Sequence, residues 1–338
     1  MYGKYTIYCI SLAFLIILLS SCAGSNKDVV ITEESLRTGT DALVMSFYPN
    51  NPPNETYESD SNVDTEGVFQ VALTLLNKGA ADITNGKVIV SYDDTYLKML
   101  SSPWVKYNQP LSDVGNSFRM SLLGKSVNNP EGDSFVYSKK FKTKNLSGES
   151  QSHDASFIAT ACYDYETKKG VPICIDPKQF EKTQKACQMK PITMSSQGAP
   201  LVVTKVEPKI FQQGNSYEFE VSISLQNKGK GQIYKKGFTD IVCGGDFPEY
   251  SARDKILNVI EEKDVDLRLS TDETVGQFKC SPFPIMLYTD QESSLRCVYT
   301  KPITNPEAFS TLLFVDIGYG YTHSIAAKTK IMRKIQIR

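Results

Sequence analysis

The sequence predicts an all-β protein made of two tandem, antiparallel β-sandwich domains of the immunoglobulin type. The first observation is a stretch that occurs twice: residues 71–83 read VALTLLNKGAADI, and residues 221–233 read VSISLQNKGKGQI. Hydrophobic side chains alternate before each Asn-Lys-Gly, which is the pattern of a half-buried strand that enters a turn. The second observation is a Tyr-x-Tyr motif in each half, beginning at Tyr163 and at Tyr319. Two landmarks in the same order indicate an internal duplication.

Length and composition limit the class of protein. The 338 residues suit two domains that each bury a core. The apolar content of 41% is ordinary for a globular protein, and the formal net charge of −1 gives no basic surface for nucleic acid. Tyr (18) and Phe (16) are frequent, whereas Trp (1) and His (2) are scarce. This mixture favours sheets over catalysis, and we expect no cofactor and no nucleic-acid partner.

The leader predicts the compartment. Lys4 precedes an apolar run over residues 5–19, which is shorter than the roughly 20 residues of a membrane-spanning helix and suits a signal peptide. The Leu-Ser-Ser-Cys that ends at Cys22 resembles the lipobox of prokaryotic lipoproteins, in which the Cys is lipidated and becomes the mature N-terminus. We therefore expect a signal peptide over residues 1–21 and a lipidated tether over residues 22–40, on the outer face of the cell membrane. An ordinary cleaved signal or an uncleaved anchor is the alternative.

The first sandwich is expected over residues 41–176. Its first strand ends at a Pro/Asn cluster, the repeated strand comes next, and turn signals separate the later strands. The last long strand is expected to turn near Lys168 and to run back as a separate return strand. The strands are predicted over residues 42–48, 69–77, 87–92, 117–123, 133–142, 157–165 and 171–175.

A linker over residues 177–198 and a second sandwich over residues 199–338 complete the expected organisation. Asp176 as N-cap and Pro177 at the first helical position predict a short helix in the linker. The strand that carries the second Tyr-x-Tyr motif is expected to turn at His323 and to return near the C-terminus. Helical segments are predicted near residues 33–36, 178–189 and 251–262, and further strands near residues 200–203, 219–225 and 329–332.

Six cysteines remain when the leader's Cys9 and the lipidated Cys22 are set aside, and an even number in an exported chain indicates disulfides. The expected hairpin in the first half brings two of them together, a second turn brings two more together, and the last two remain for each other. The pairs expected in this way are Cys162–Cys174, Cys280–Cys297 and Cys187–Cys243. A zinc site is the rival interpretation, but Cys-x-x-Cys is absent from the sequence and His is scarce.

Candidate catalytic and metal-binding groups are few. A Ser/His/Asp or Cys/His centre needs His153 or His323, and neither lies in a nucleophile elbow or a His-Glu-x-x-His motif, so both are expected at the surface. Residues 60–67 alternate oxygen ligands as a calcium loop does. Thr65 stands where an EF-hand loop needs Gly, and an ordinary acidic loop is the favoured interpretation. No catalytic residue and no metal ligand are predicted.

Two further features concern the surface. Asn54 and Asn145 begin N-glycosylation sequons, which makes them candidate glycosylation sites in an exported chain. Residues 139–144 read KKFKTK and form the densest basic stretch. This stretch suits contact with an anionic polymer or lipid headgroups, but a solvated strand edge protected by lysines is the favoured interpretation.

These motifs together resemble a family. The alternation that ends in Asn-Lys-Gly resembles the CARDB-type immunoglobulin-like modules of prokaryotic surface proteins. Residues 161–167 (ACYDYET) and 171–177 (VPICIDP) are similar to exported archaeal proteins with tandem modules of this kind. The resemblance covers residues 42–338 and implies adhesion, spacing or assembly at the cell surface, with no catalytic residues. A fold of this kind does not by itself fix the function.

From these observations we expect a non-enzymatic, membrane-anchored surface lipoprotein that acts as an adhesion or interaction module or as a spacer. Its lipid contacts the membrane, and its strand edges or end loops contact an unidentified surface protein or glycan. The first alternative is a structural subunit of an extracellular filament or envelope layer that assembles through edge strands. An extracellular hydrolase is the second alternative, which a pocket with convergent polar side chains would favour.

Overall fold

The computed structural model describes residues 32–59, 65–113, 115–245, 247, 250–271 and 276–334, and the chain from Glu33 onward forms one compact unit. Strands account for 55% of the structure and helices for 6%, which confirms the all-β prediction. In chain order the strands are β1 Leu43–Phe47, β2 Glu55–Tyr57, β3 Val68–Asn77, β4 Ile83–Tyr92, β5 Leu97–Met99, β6 Val105–Lys106, β7 Gln109–Pro110, β8 Ser117–Leu122, β9 Ser134–Thr143, β10 Ser152–Ile175, β11 Ile192–Thr193, β12 Leu201–Gln213, β13 Ser216–Asn227, β14 Gln232–Tyr234, β15 Val259–Ile260, β16 Val265–Leu269, β17 Phe278–Ser281, β18 Ile285–Met286, β19 Glu292–Tyr299 and β20 Phe309–Met332.

The helices among the described residues are short: α1 Glu33–Leu36, α2 Thr239–Gly244 and α3 Tyr250–Ile256, with a 3-10 turn at Glu262–Asp264. The predicted helix near residues 33–36 is confirmed. The helix predicted over residues 251–262 is confirmed only in its first half. After α3 the chain takes a positive φ of 60° at Asn258, and Val259 and Ile260 are then buried in β15, which pairs with β18.

Three large sheets carry the fold. The central sheet has the order β14-β20-β10-β4-β8, and β16 and β2 also pair with β20. The first outer sheet has the order β1-β3-β9-β6-β7, with β5 also on β9. The second outer sheet has the order β11-β12-β13-β19-β17, and β15 and β18 form a separate pair. Each outer sheet contains one copy of the repeated strand, β3 in the first and β13 in the second.

The antiparallel pair β10 and β20 forms the middle of the molecule. The two strands pair along all 24 residues of each, from Ser152 opposite Met332 to Ile175 opposite Phe309. Odd-numbered residues oppose odd-numbered residues, and the buried side chains of both strands are mostly the odd-numbered ones. Because residues of one parity share one face of a sheet, both outer sheets pack on the same face of the central sheet.

The two predicted hairpins are wrong, because β10 and β20 are each continuous. The expected turn at Lys168 lies within β10, opposite Asp316 of β20, and the expected turn at His323 lies within β20, opposite Ala161 of β10. The alternation of buried and exposed residues continues through both places, for example at Thr167, which is buried in the core. The partner strand supplies the pairing that a return strand was expected to supply.

The two halves of the sequence therefore share one sheet. A single hydrophobic core cluster contains residues of both halves, from Leu43 and Val71 to Leu225 and Ile331. The sequence predicts two tandem sandwiches, whereas the structure joins the two halves through β10 and β20 in one compact unit. The assignment of each half to the immunoglobulin type, and the boundaries at residues 176 and 199, stay predictions.

The helix predicted over residues 178–189 is wrong. Residues 177–180 form a turn, and the segment continues to β11 without helix. A disulfide between Cys174 and Cys187 returns the segment toward the end of β10. Asp176 does accept the backbone N–H of Lys178 at 3.1 Å, as a capping side chain does, but its other carboxylate oxygen is held by Lys185 at 2.6 Å. The disulfide and the ion pair between Lys185 and Asp176 hold the segment as a folded-back loop in place of the predicted helix.

The interpretation of the basic stretch as a solvated strand edge is also wrong. The stretch lies in β9, which pairs with β3 along one edge and with β5 and β6 along the other. Lys139 and Lys142 are 1% and 6% exposed. Lys139 donates a hydrogen bond to the carbonyl oxygen of Ser102, its ammonium lies 5.9 Å from the centre of the Trp104 ring, and burial lowers its pKa. These lysines take part in the packing of the first outer sheet.

Candidate functional site

Four buried tyrosines meet at the centre of the central sheet, and we call them the tyrosine cluster: Tyr163, Tyr165, Tyr319 and Tyr321. None is more than 4% exposed. Tyr163 lies opposite Tyr321 with their ring centres 5.9 Å apart, and Tyr165 lies opposite Tyr319 at 6.3 Å. The midpoint of this arrangement is the pair of Asp164 and Gly320. A local two-fold axis through that pair relates the two Tyr-x-Tyr motifs.

The second tyrosine of each motif binds the repeated turn of its own half. The Tyr165 hydroxyl accepts a hydrogen bond from the backbone N–H of Ala81 at 3.1 Å, and the Tyr321 hydroxyl accepts one from Gly231 at 2.7 Å. Ala81 and Gly231 occupy the same place in the two repeats, four residues after the Asn of Asn-Lys-Gly. The two sequence landmarks are therefore in direct contact in both halves.

The first tyrosine of each motif holds the start of the first strand of its half. The Tyr163 hydroxyl accepts a hydrogen bond from the backbone N–H of Leu43 at 3.3 Å, and the Tyr319 hydroxyl accepts one from Leu201 at 3.4 Å. Leu43 begins β1 and Leu201 begins β12. Four tyrosines thus fasten four backbone positions, two in each half.

The Asn of each repeated turn makes the same bonds in both halves. Asn77 donates to the carbonyl oxygen of Ala81 at 2.8 Å, and Asn227 donates to that of Gly231 at 2.9 Å. The oxygen of each Asn side chain accepts the N–H of the Gly two residues later at 3.2 Å. Asn therefore closes the turn from inside, as its donor and acceptor groups allow.

Burial keeps the cluster in its neutral form. Desolvation raises the pKa of Tyr321 to about 12 and the pKa of Tyr165 further, against the smaller opposing effect of the hydrogen bonds that their hydroxyl groups accept. The pKa values of Tyr163 and Tyr319 are also raised by burial. Phenols of this kind donate and accept hydrogen bonds at neutral pH without ionising, and the cluster holds the fold together.

The structure does not bring the two histidines together. His153 bonds through Nε2 to Asp93 at 2.8 Å, and its ring lies 3.9 Å from the ring of Tyr96. His323 lies opposite Ala161 in β20, eight residues along β10 from His153. At about 3.4 Å per residue, this places the two histidines roughly 27 Å apart. They form no common centre for proton transfer.

His323 is not the surface residue that the sequence predicts. Burial lowers the pKa of its imidazole, and the nearby Asp41 opposes this effect. Its Nδ1 is buried and has no hydrogen-bond partner among the described residues. A cleft of about 370 Å³ opens beside it, lined also by Asp41, Tyr163 and Tyr321. The hydroxyl groups of Tyr163 and Tyr321 already accept backbone N–H groups. Residues of both halves line the cleft, which therefore lies at their junction.

A larger groove, of about 680 Å³, lies along the part of β10 that extends beyond β4, and we call it the edge groove. The pairing of β10 with β4 ends at Tyr163, and beyond it no strand among the described residues pairs with that edge of β10. Apolar side chains that line the groove are Val171, Pro172, Ile192, Met194, Leu312 and Phe314. Gly170 lies opposite Phe314 of β20 and leaves the space above its ring open. A Cβ atom at position 170 would be in contact with that ring.

Most charged side chains of the edge groove have an ion-pair partner, and Arg37 is the charged lining residue for which no ion pair is described. Lys169 is in contact with Glu34 of α1, and Arg268 binds Asp316 at 2.7 Å. Lys168 binds Glu166 at 2.6 Å. The groove thus combines an apolar floor with side chains that are mostly ion-paired.

The cysteine pairs differ from the prediction in two of three cases. Cys280 pairs with Cys297, as the sequence predicts. Cys162 pairs with Cys243 of α2, and Cys174 pairs with Cys187. The predicted pairs Cys162–Cys174 and Cys187–Cys243 are therefore wrong. Cys162 and Cys174 lie on one continuous strand, and twelve residues of strand separate them by roughly 40 Å.

The remaining predicted site residues are two asparagines and the cysteine of the leader. Asn54 and Asn145 are exposed, which a sugar chain requires. Cys22, together with the whole leader, lies outside the described residues, as do residues 60–64 of the acidic loop. Among the residues that the structure describes, no group of three or more His, Cys, Asp or Glu side chains is arranged to hold a metal ion.

Two features escape prediction from the sequence. The contact between the tyrosines and the repeated turns is one, although both motifs are visible in the sequence. The other is Phe180, which is 91% exposed in the loop that the Cys174–Cys187 disulfide closes. Its signal in the sequence is the run PKQFEKTQK, in which a single aromatic residue stands among lysines.

No protein-family model matches the chain, and no match is found among curated proteins.

Proposed function

We propose that the protein is a non-enzymatic surface protein, held at the outer face of the cell membrane by a lipid on Cys22, which presents a rigid body for interaction or spacing. The observation that carries this proposal is the pairing of β10 with β20 along 24 residues. At about 3.4 Å per residue, this pair extends over roughly 80 Å. A sheet of this length that both halves share resists bending between them, which a spacer or a presenting scaffold requires.

The compartment is inferred from the cysteines. Three cysteine pairs lie at disulfide distance, which indicates an oxidising extracellular environment. Among the described residues, no helix is long and apolar enough to cross a membrane. The lipid at Cys22 supplies the attachment in this proposal, since two or more long acyl chains hold a protein at a bilayer.

The surface for interaction is the edge groove in this proposal. Part of its apolar floor is accessible, with Leu312 39% exposed, and most of its charges are already paired. A protein or a glycan that lies in the groove covers this apolar floor and meets Arg37 as the cation without an ion pair among the described residues. Apolar burial of this kind is the main source of affinity in protein interfaces.

Assembly into a filament or envelope layer is the second candidate function. The free edge of β10 beyond Tyr163 favours it, because an unpaired strand edge accepts a further strand. Pro172, Lys168 and Lys169 lie on that edge, however, and prolines and lysines are residues that prevent edge pairing. Interaction through the groove is for this reason the preferred proposal.

Three measurements test the proposal. The intact mass of the chain extracted from membranes is expected to show acylation at Cys22 and loss of residues 1–21, and Cys22→Ser is expected to release the chain from the membrane fraction. An unmodified Cys22 in a chain that keeps its leader would contradict the lipid anchor. Size-exclusion chromatography at increasing concentration separates the two candidate functions: a constant monomer supports an interaction module, and growing oligomers support assembly.

A further inference from the structure

The loop between Cys174 and Cys187 is built to expose one aromatic side chain. Phe180 is 91% exposed, more than the other large hydrophobic residues that the structure describes as exposed. The disulfide closes the loop at its base, and the backbone N–H of Glu181 donates to the carbonyl oxygen of Lys178 at 2.9 Å, next to the tip. Phe180 is thus held outward on a constrained loop.

The base of the loop is fixed to the body. Ile175 is fully buried at the end of β10, and Asp176 is 3% exposed. Lys185 reaches back to bind Asp176 at 2.6 Å. After the loop, Met189 packs against the core. Because both ends are held, little conformational freedom is left to lose when the tip meets a partner, which lowers the cost of binding.

The surroundings of Phe180 are basic. Residues 175–190 contain four lysines and two carboxylates, in a chain whose net charge is −1. The two carboxylates already have lysine partners, Asp176 with Lys185 at 2.6 Å and Glu181 with Lys178 at 3.9 Å. Lys182 and Lys190 are exposed and make no ion pair among the described residues. The segment therefore carries two cations without an ion pair among the described residues, Lys182 two residues after the exposed ring and Lys190 beyond the disulfide.

The position of the loop relative to the start of the body points to a membrane. The chain enters the body at α1, where Glu34 contacts Lys169, six residues before the end of β10. At about 3.4 Å per residue, this contact lies roughly 20 Å from the base of the loop. The edge groove and the cleft that contains Cys187 and Lys190 share Pro172 and Ile192, so the surface between them is continuous.

We propose that the loop over residues 175–190 is a second membrane contact, in which Phe180 enters the interface and Lys182 and Lys190 bind anionic lipid headgroups. An exposed aromatic ring with flanking lysines matches the two parts of such a surface, its apolar boundary and its negative charge. This inference rests on the proposed anchor at Cys22, which keeps the loop close to the bilayer. The anchor and the loop together fix the orientation of the body on the membrane.

Hydrogen exchange of the full-length chain on lipid vesicles tests the inference. The chain is bound to vesicles of phosphatidylcholine alone and to vesicles that also contain phosphatidylglycerol, and the fraction bound to the first kind reports on the anchor. We expect amide exchange in residues 178–183 to be slower on the anionic vesicles, and this difference to disappear at high salt because salt screens charges. The single variants Lys182→Gln and Lys190→Gln are each expected to reduce this protection about fivefold.

Matched variants separate this contact from general effects. Phe180→Ser is expected to abolish the protection, whereas Phe211→Ser, at an exposed phenylalanine of β12, leaves it unchanged. Lys279→Gln, at an exposed lysine of β17, is the control for the two lysine variants and is expected to leave the protection unchanged.

Equal exchange of the loop on both kinds of vesicle would overturn the inference, while the anchor stands if the chain binds phosphatidylcholine. A chain that binds neither kind of vesicle would contradict the anchor and the loop together. Binding to the anionic vesicles alone, lost in Phe180→Ser, would support the loop and contradict the anchor.

Discussion

The two halves of the molecule keep the same junction but differ in the segment after it. In both halves an Asn-Lys-Gly turn is held by the second tyrosine of a Tyr-x-Tyr motif, with matching bonds from Asn77 and Asn227. After the turn, the first half continues as β4 over ten residues, whereas the second half leaves the sheet after the three residues of β14. Helices α2 and α3 come next in the second half.

This difference separates the contacts that both halves keep from the elements that differ between them. In the second half the helices cover the face of the central sheet opposite to the outer sheets, where Tyr234, Ile256 and Leu257 form a second, smaller core with Cys162 and Cys243. Within the described part of the chain, the first half has no such cover of its own and shares this one through the Cys162–Cys243 bond. Strand length and insertions vary between the halves, while the bonds between tyrosines and turns are retained.

The largest effect is expected from the disulfide that joins the halves. Replacing both Cys162 and Cys243 by Ala opens a loop of 81 residues, and the chain-entropy model predicts a loss of about 4 to 5 kcal/mol in the free energy of unfolding. The matched control, Cys174→Ala with Cys187→Ala, opens a loop of 13 residues and is expected to cost about 3 kcal/mol. Chemical denaturation without reductant measures both. An equal or smaller loss for the first pair would show that the helical cover stands without its covalent link.

A smaller and symmetric effect is expected at the glycines of the repeated turns. A Cβ at Gly79 would overlap the Tyr165 hydroxyl and approach the carbonyl oxygen of Gly198 to 2.7 Å, and one at Gly229 would overlap the Tyr321 hydroxyl. Gly79→Ala and Gly229→Ala are each expected to lower the free energy of unfolding by about 2 to 3 kcal/mol, because the neighbours have no room to move.

Gly170→Ala is the control for these two variants, since its Cβ would meet the ring of Phe314 only at an ordinary distance of 3.4 Å. We expect its effect to stay below about 1 kcal/mol. Thermal or chemical unfolding of the three variants gives the comparison. If one of the two turn variants were as stable as the parent, the two halves would not use the turn in the same way.

The smallest effect on stability is expected from protonation of His323, a titratable residue at a position where the first half has Thr167. His323 occupies the place in β20 that Thr167 occupies in β10, two residues after the second tyrosine of the motif. Burial lowers the pKa of His323 in the folded protein, so the unfolded chain binds its proton at higher pH. Stability is therefore unaffected by this group above the ordinary histidine pKa near 6.5 and falls as the pH drops below it.

His323→Thr, which copies the first half, is expected to flatten the dependence of stability on pH below that value. The free energy of unfolding of parent and variant, measured between about pH 7.5 and 5, shows the difference. His153→Thr is the control at the other histidine. The same slope in the parent and in His323→Thr would mean that another group takes up the proton.

The local pattern of the sequence predicts much of the sheet structure. Period-2 alternation predicts β3, β9 and β13, and the Asn-Lys-Gly turns come after β3 and β13 in the structure. The pattern fails at β10 because Lys168, Lys169 and Gly170 are typical turn residues, while the strand that pairs with them lies far away in the sequence. A contact of this kind overrides local preference and cannot be seen in a short window.

The error at β10 produced the errors at the cysteines. The predicted pair Cys162–Cys174 depends on a hairpin that the structure does not form, and the predicted pair Cys187–Cys243 follows only from the two cysteines that remain. Cys280–Cys297 was correct because β17 and β19 are neighbouring strands, in which these two residues lie opposite each other. Of the candidate site, the sequence shows both motifs of the tyrosine–turn contact but not their proximity, since distance in space is set by the pairing of β10 with β20.

The local two-fold axis at Asp164 and Gly320 has a consequence for the origin of the chain. Two copies of one module that meet through equivalent strands, running in opposite directions, have the arrangement of subunits in a symmetric homodimer. Residues 177–198 are then the only covalent addition needed to turn such a dimer into a single polypeptide. A truncated chain that ends at this connection would expose the edge of a 24-residue strand. The same strand of a second truncated chain could pair with that edge.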